Sequence, residues 1–295
     1  MKDKLFKAFG AFNRFSASWT GTIIIVLLFV FFVAQAFMIP SGSMKNSLLI
    51  GDFLFVKKFS YGMSTPHIPW IEVPAAFDSD DDGHLWQGDR PQRGDIVVFR
   101  YPLEPRTYYV KRMFAGPGDE VIYAPDAMYL RAAQGDEFMG QNYPKDDLVR
   151  LNGKLFVKEP YKNPGIYYDA SERKDNFGGQ SVDIFTIAAL AKTQGRFAMN
   201  PIYIDELPAL KSIDTKSFNA FYFKVGDDEF FMVGDNRENS NDSRFWGSVE
   251  YKYIVGKPWF VYFSWDSDYK VRWERIGRFV DTLQNDPKYI NLARD

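Results

Sequence analysis

From Gly21 to Ile39 the chain reads GTIIIVLLFVFFVAQAFMI, with only Thr22 and Gln35 clearly polar and no charge. About 20 such residues in a helix cross the hydrocarbon core of a bilayer. The run therefore predicts one transmembrane helix, over 19 to 39 when Trp19 is placed at the headgroup level. A buried helix of a globular core is the plainer alternative, but this run is apolar on every face. A cleaved leader is the other. Ala34 and Ala36 have small-x-small spacing, yet a cut after Ala36 would leave nearly the whole run as the leader core, so the anchor is expected to stay. Lys2, Lys4, Lys7 and Arg14 precede the run against one acid, Asp3, although Lys45, Lys57 and Lys58 follow it. That bias predicts a single-pass protein of the inner (plasma) membrane. Residues 1–18 would be cytoplasmic and everything after the anchor would lie on the outer, periplasmic side.

The remainder predicts a mainly β fold: an antiparallel β domain with an inserted, more mixed subdomain. Strands are expected near 52–57, 96–101, 107–114 and 120–123, each flanked by Gly-Asp, Pro or Pro-Gly turn chemistry. LNGKLFVKEP predicts a hairpin turning at Asn152-Gly153. DEFFMVGDNR, KPWFVYFSW and KVRWERI supply later strands, and a short helix is expected near 183–192. The main domain is thus divided into 40–124 and 221–295, with 125–220 inserted between them. Positions 64–93 look like a loop insertion. Within it, Asp78, Asp80, Asp82 and Gly83 match part of a calcium-loop pattern. The twelfth position is Asp89 where a bidentate Glu is required, and no periodic helix precedes it, so a solvated acidic loop is the reading.

A formal charge of -2 gives no basic footprint for a nucleic-acid partner. Cysteine is absent, which removes thiol nucleophiles and thiolate metal sites and suits an oxidising compartment. Only His67 and His84 are present, one among prolines and one in the acidic loop. A serine nucleophile here would need a base other than histidine. A neutral lysine can serve if burial without a counter-charge lowers its pKa. Lys111 is placed for this. In TYYVKRMF, strand alternation puts it opposite Val110 and Arg112, with Tyr109 and Met113 beside it.

Four stretches, in order, carry a resemblance to the type I signal peptidases, membrane-anchored Ser-Lys proteases. They are PSGSM with LLIGDFLFVKKFSYG, RGDIVVFRYP, YYVKRMFAGPGDEV, and GDNRENSNDSRFWG. The middle of the chain is barely covered. The resemblance implies Ser43 as nucleophile and Lys111 as general base. Ser41, beside the Ser43 N–H, would form the oxyanion hole, and Ser240 would orient the lysine. Asp242 with Arg244, and Asp235 with Arg112, would be supporting pairs, and Met44 would pack beside the site. No cofactor or metal is implied. Many relatives read SGSM-x-Pro-Thr-Leu, whereas this chain has Lys45-Asn46-Ser47-Leu48 and lacks the proline.

The implied reaction is amide hydrolysis through an acyl-enzyme, on signal peptides of exported preproteins cut after a small-x-small motif. The implied partners are the lipid bilayer and, by proximity, the export translocon. Two other readings follow from the residues: a Ser-Lys protease with a narrow substrate set, and a non-enzymatic β scaffold for export. A metal protease is disfavoured by the lack of a His-Glu-x-x-His motif.

Overall fold

The computed structural model describes residues 2–32, 34–67, 74, 83–168, 183–208 and 218–290. The acidic-loop pattern at 78–82 and the whole polar stretch DASERKDNFGG, 169–179, lie outside them. Two helices open the chain, α1 (Lys2–Ser16) and α2 (Trp19–Phe32). The strands in chain order are β1 (Ala34–Met38), β2 (Asp52–Lys57), β3 (Gly62–Ser64), β4 (His84–Gln87), β5 (Ile96–Tyr101), β6 (Glu104–Ala115), β7 (Glu120–Ala124), β8 (Ala127–Arg131), β9 (Leu148–Leu151), β10 (Lys154–Lys158), β11 (Asn200–Ile202), β12 (Ala220–Lys224), β13 (Glu229–Val233), β14 (Val249–Glu250), β15 (Ile254–Ser264) and β16 (Arg278–Phe279). Between them fall α3 (Asp136–Asn142), α4 (Ile184–Thr193) and α5 (Ser243–Trp246), and α6 (Val280–Asn285) and α7 (Pro287–Ile290) follow β16.

The expected transmembrane helix over 19–39 is corrected. Helix α2 ends at Phe32 after 14 residues, about 21 Å at the helical rise, short of the ~30 Å hydrocarbon core. Residues 34–38 form an edge strand, paired antiparallel with β2 from Ala34 opposite Lys57 to Met38 opposite Phe53. Among the described residues no helix is long and apolar enough to cross a membrane. The single-pass topology built on that helix, with its cytoplasmic 1–18 and periplasmic remainder, is corrected with it. The physical reason lies in the second half of the run. Phe37 and Ile39 turn inward while Met38 is exposed, a period of two that an unbroken apolar stretch conceals.

The strands form two main sheets. One has the order β1-β2-β15-β5-β6-β13-β14, with β16 added to β15. The other has the order β11-β12-β7-β8-β10-β9 and runs from Glu120 to Lys224. It therefore takes in strands on both sides of the 125–220 boundaries. Strands β3 and β4 pair separately. The hairpin turn has positive φ at both Asn152 and Gly153 (46° and 77°), as a two-residue turn of this hand requires. Helix α4 begins where Asp183 accepts the Thr186 N–H as an N-cap. KVRWERI is not a strand. Val271 makes one bridge to Trp265, and Trp273–Arg275 is a 3-10 turn that sends Arg275 inward to a bidentate pair with buried Asp52.

Strand β6 contributes to three hydrophobic clusters. Tyr108 and Val110 pack on the cluster of Ile39, Met44, Leu54 and Val98. Tyr109 and Met113 pack on the opposite cluster with Phe99 and Met232. At its far end Phe114 and Ala115 enter the core beneath the six-stranded sheet and α4.

Candidate active site

Ser43 lies in the middle of a 3-10 turn, Gly42–Met44, directly after β1. Buried Leu48, Leu49 and Met44 anchor the chain after it. Its carbonyl accepts the Asn236 N–H (3.1 Å), and the Gly42 carbonyl accepts the Asn236 side-chain amide (3.3 Å). Gly234 makes this approach possible. A Cβ there would sit 2.6 Å from the Ser43 carbonyl oxygen and 2.3 Å from Ser240 Oγ. Only a residue without a side chain lets the two loops meet.

Lys111 Nζ is 2.6 Å from Ser43 Oγ and donates to the Val110 carbonyl at 3.1 Å. The residue is 4% exposed. Burial lowers its pKa to about 8 and Arg244 adds to the effect, while Asp242 and Asp235 oppose it. Neither carboxylate bonds the amine directly, because each belongs to its own arginine. Arg112 binds Asp235 through two 2.7 Å hydrogen bonds, and Arg244 binds Asp242 at 2.8 and 2.9 Å. Burial alone would raise both carboxyl pKa values; the arginines override it and hold both below the ordinary value.

The Asp235 pair also reaches the nucleophile's turn. Ser47 Oγ donates to Asp235 Oδ2 at 2.5 Å, and the Asp235 N–H points at Met44 Sδ at 3.4 Å. Asn46, which stands where many relatives of the family carry proline, has φ +78°. Proline is locked near −65° and cannot adopt that angle, so the turn here is built on another backbone conformation.

Ser41 is exposed on the cleft wall just before Ser43. Ser240 is buried. Its Oγ lies toward Asp242 but makes no hydrogen bond of ordinary geometry, and it does not bond Lys111. The structure thus gathers Ser41, Ser43, Lys111, Ser240 and the two ion pairs at one place, but the lysine's second bond goes to a backbone carbonyl. Three contributors escape a reading of the sequence. Asn236 clamps the turn from within the GDNR stretch, where only its position could have flagged it. Arg275 donates to the Ser47 carbonyl at 3.3 Å while paired to Asp52. Gly165, from the middle of the chain, packs where a Cβ would meet Ser47 Oγ at 2.3 Å. Nothing local marks these last two, because each acts across long sequence separation.

Ser43 and Lys111 open onto a cleft of about 540 Å³. One wall is Phe37 to Met44, the other Thr107 to Lys111, and Asn239 and Asn241 line it further. Along the second wall, among the described residues, β6 has a strand partner on one side only: β5 pairs with it there, and β13 joins from Arg112 onward. The free edge can take an extended peptide as an added strand. Among the described residues no cluster could hold a metal ion.

A family model described as "Signal peptidase, peptidase S26" matches residues 13–265. A Helicobacter pylori (strain 26695) protein called signal peptidase I is 47% identical over 298 residues, covering 95% of this chain and 97% of that protein. The protein of the same name from strain J99 is 46% identical over 289 residues, with 92% and 93% covered. A Pseudomonas aeruginosa signal peptidase I is 31% identical over 263 residues, with 85% and 72% covered.

Proposed function

This chain belongs to the peptidase S26 family of signal peptidases, and on that premise we propose that Ser43 is its nucleophile and Lys111 its general base. The protein is a serine endopeptidase that acts at the membrane and removes signal peptides from exported preproteins. The observation that carries the assignment is the 2.6 Å contact between Ser43 Oγ and a buried amine whose pKa is about 8. At pH 7 about a tenth of such amines are neutral, against less than one in a thousand for an ordinary lysine. Only the neutral form can take a proton.

The steps follow from positions. A preprotein segment lies along the free edge of β6, with its scissile carbonyl against Ser43. Lys111 takes the hydroxyl proton as Oγ attacks the carbonyl carbon. The Ser43 N–H and the Ser41 hydroxyl face the oxyanion that forms; one such donor is typically worth about 3 kcal/mol. Lys111 returns the proton to the leaving amine, then activates water against the ester. Ser240 Oγ, buried and lying toward Asp242, is the hydroxyl available to the amine while it changes charge. Asp242–Arg244 and Asp235–Arg112 hold the loops and keep the carboxylates engaged. Action close to the export translocon, where a leader's end emerges, is the setting this chemistry suits.

The test uses the full chain in detergent with a preprotein carrying Ala-x-Ala before the cut. We expect a single cut after the second alanine, reduced about 10⁴-fold in Ser43→Ala and in Lys111→Ala. kcat/KM should rise about tenfold per pH unit and level off near pH 8. Cleavage that survives Ser43→Ala would overturn the assignment.

A further inference from the structure

We propose that Gln284, on α6 near the C-terminal end of the chain, is a positioning residue for the dyad: it fixes Arg112, and through Arg112 and Asp235 it holds the turn that carries Ser43. The proposal rests on the dyad reading above. It adds a support from beyond residue 265, where the match to the family model stops.

The segment after Arg275 folds back under the nucleophile. Phe279 pairs with Phe260 of β15, and α6 and α7 follow. Val280, Leu283 and Gln284 are spaced by three and four along α6 and so share one face. All three are buried. Val280, Leu283 and Tyr289 of α7 join the cluster that holds Met44 and Leu48, the residues directly after Ser43 and Ser47. That apolar contact seats the helix, and Gln284 is the polar group it carries inside.

Gln284 Oε1 accepts from Arg112 Nη1 at 2.8 Å, and its Nε2 donates to Asp281 Oδ1 at 3.0 Å. A guanidinium only donates and an ionised carboxylate only accepts, so the amide has one workable orientation. Its neutrality matters, because a carboxylate here would compete with Asp235 for the one buried cation. Arg112 instead gives Asp235 both bonds of its Nε–Nη2 edge. From Asp235 the support divides. The carboxylate takes the Ser47 hydroxyl at 2.5 Å, and the N–H of the next residue, Asn236, holds the Ser43 carbonyl at 3.1 Å. A second route leaves the same helix. Asn285 Oδ1 accepts from Asn163 Nδ2 at 2.6 Å, two residues before Gly165, which packs on Ser47. Gln284 itself does not line the cleft, so its effect passes through these partners.

The experiment measures kcat, KM and the pH profile of full-length Gln284→Met on the Ala-x-Ala preprotein, with competent enzyme counted by a serine-reactive probe. Methionine keeps the length and fills the space but offers Arg112 only a weak acceptor. kcat per competent enzyme should fall about tenfold, less than the roughly hundredfold that a 1 Å misplacement can cost. KM should not move, and the profile should still level off near pH 8. Asp281→Ala, an exposed change that unpins the amide, should lower kcat by a smaller factor. Unchanged kcat per competent enzyme in Gln284→Met overturns the proposal. So does a levelling point shifted upward, which would mean that water reaches Lys111 and that α6 only seals the core. The dyad reading fails separately: it falls if Ser43→Ala still cleaves the preprotein, whatever Gln284→Met does.

Discussion

Lys111 and Arg112 are consecutive, both almost fully buried, and face opposite sides of β6, yet the fold treats their charges in opposite ways. Arg112 meets a carboxylate with two short bonds and gives its remaining donors to the Gly94 carbonyl and Gln284 of α6. Lys111 meets a hydroxyl and a carbonyl, and the nearest carboxylates are already engaged. The first side chain is kept charged and braces the loops. The second is driven toward neutrality and can act as a base. Burial alone does not set a buried cation's state; what decides it is whether a carboxylate enters its hydrogen-bonding shell.

Breaking the braced side should have the largest effect. Arg112→Met leaves the Asp235 carboxylate buried without its counter-ion and should destabilise the protein by about 3–5 kcal/mol, read as a lowered urea midpoint. Arg112→Met with Asp235→Leu should recover most of that loss. If the double variant is no more stable than the single, lost packing rather than a stranded charge explains the effect.

Lys111→Met tests the other side with the opposite sign. In the folded chain the amine holds its proton only below about pH 8, and in the unfolded chain it does so to 10.5. Between those values the unfolded state binds more protons, so wild-type stability rises with pH across the window. Below pH 8 the whole penalty is present. The methionine variant should therefore be more stable than wild type by about 3 kcal/mol at pH 7, at ~1.4 kcal/mol per pH unit, and the gain should fade by pH 10.5. Urea titrations at pH 7 and 10 measure it. No gain at pH 7 would mean that the amine is charged and compensated like Arg112.

What the sequence reveals divides along similar lines. Ser43 and Lys111 are legible because motif order and strand alternation are local signals. So are the strands bounded by Gly-Asp and Pro-Gly turns, and the Asn152-Gly153 hairpin. The pairing of β7 with β12 is not, because those strands meet across the whole middle of the chain. Arg275 fails for the same reason, since its partner Asp52 lies at the other end. Strand β1 fails for a different one: an apolar run fits both helix and strand, and its five-residue pairing with β2 is visible only once β2 is in place.

Asn46 links the two sides, because the next residue's hydroxyl ties the Ser43 turn to the Arg112–Asp235 pair. Asn46→Pro moves toward the commoner family sequence, yet a φ of +78° is closed to proline. We expect a cost of about 1–3 kcal/mol, the scale for a residue forced out of its allowed region. kcat should fall as Ser47 pulls away from Asp235. Asn46→Gly, which tolerates positive φ, should keep kcat close to wild type. Equal activity in the proline variant would show that the turn has a second conformation which also serves catalysis.

The smallest effect separates an orienting role from a filling one. Ser240 Oγ is buried against Gly234, which also approaches the Ser43 carbonyl, and does not bond the amine in the resting structure. If it supports Lys111 only while the proton moves, Ser240→Ala removes one neutral hydrogen bond, worth about 1 kcal/mol. That loss should appear as a fall in kcat of about fivefold to tenfold, with KM unchanged and the pH profile still levelling near 8. A levelling point shifted upward would mean instead that the hydroxyl helps keep the resting amine neutral. The carbonyl of Val110, already bonded at 3.1 Å, would then be insufficient to hold Lys111 in its reactive state.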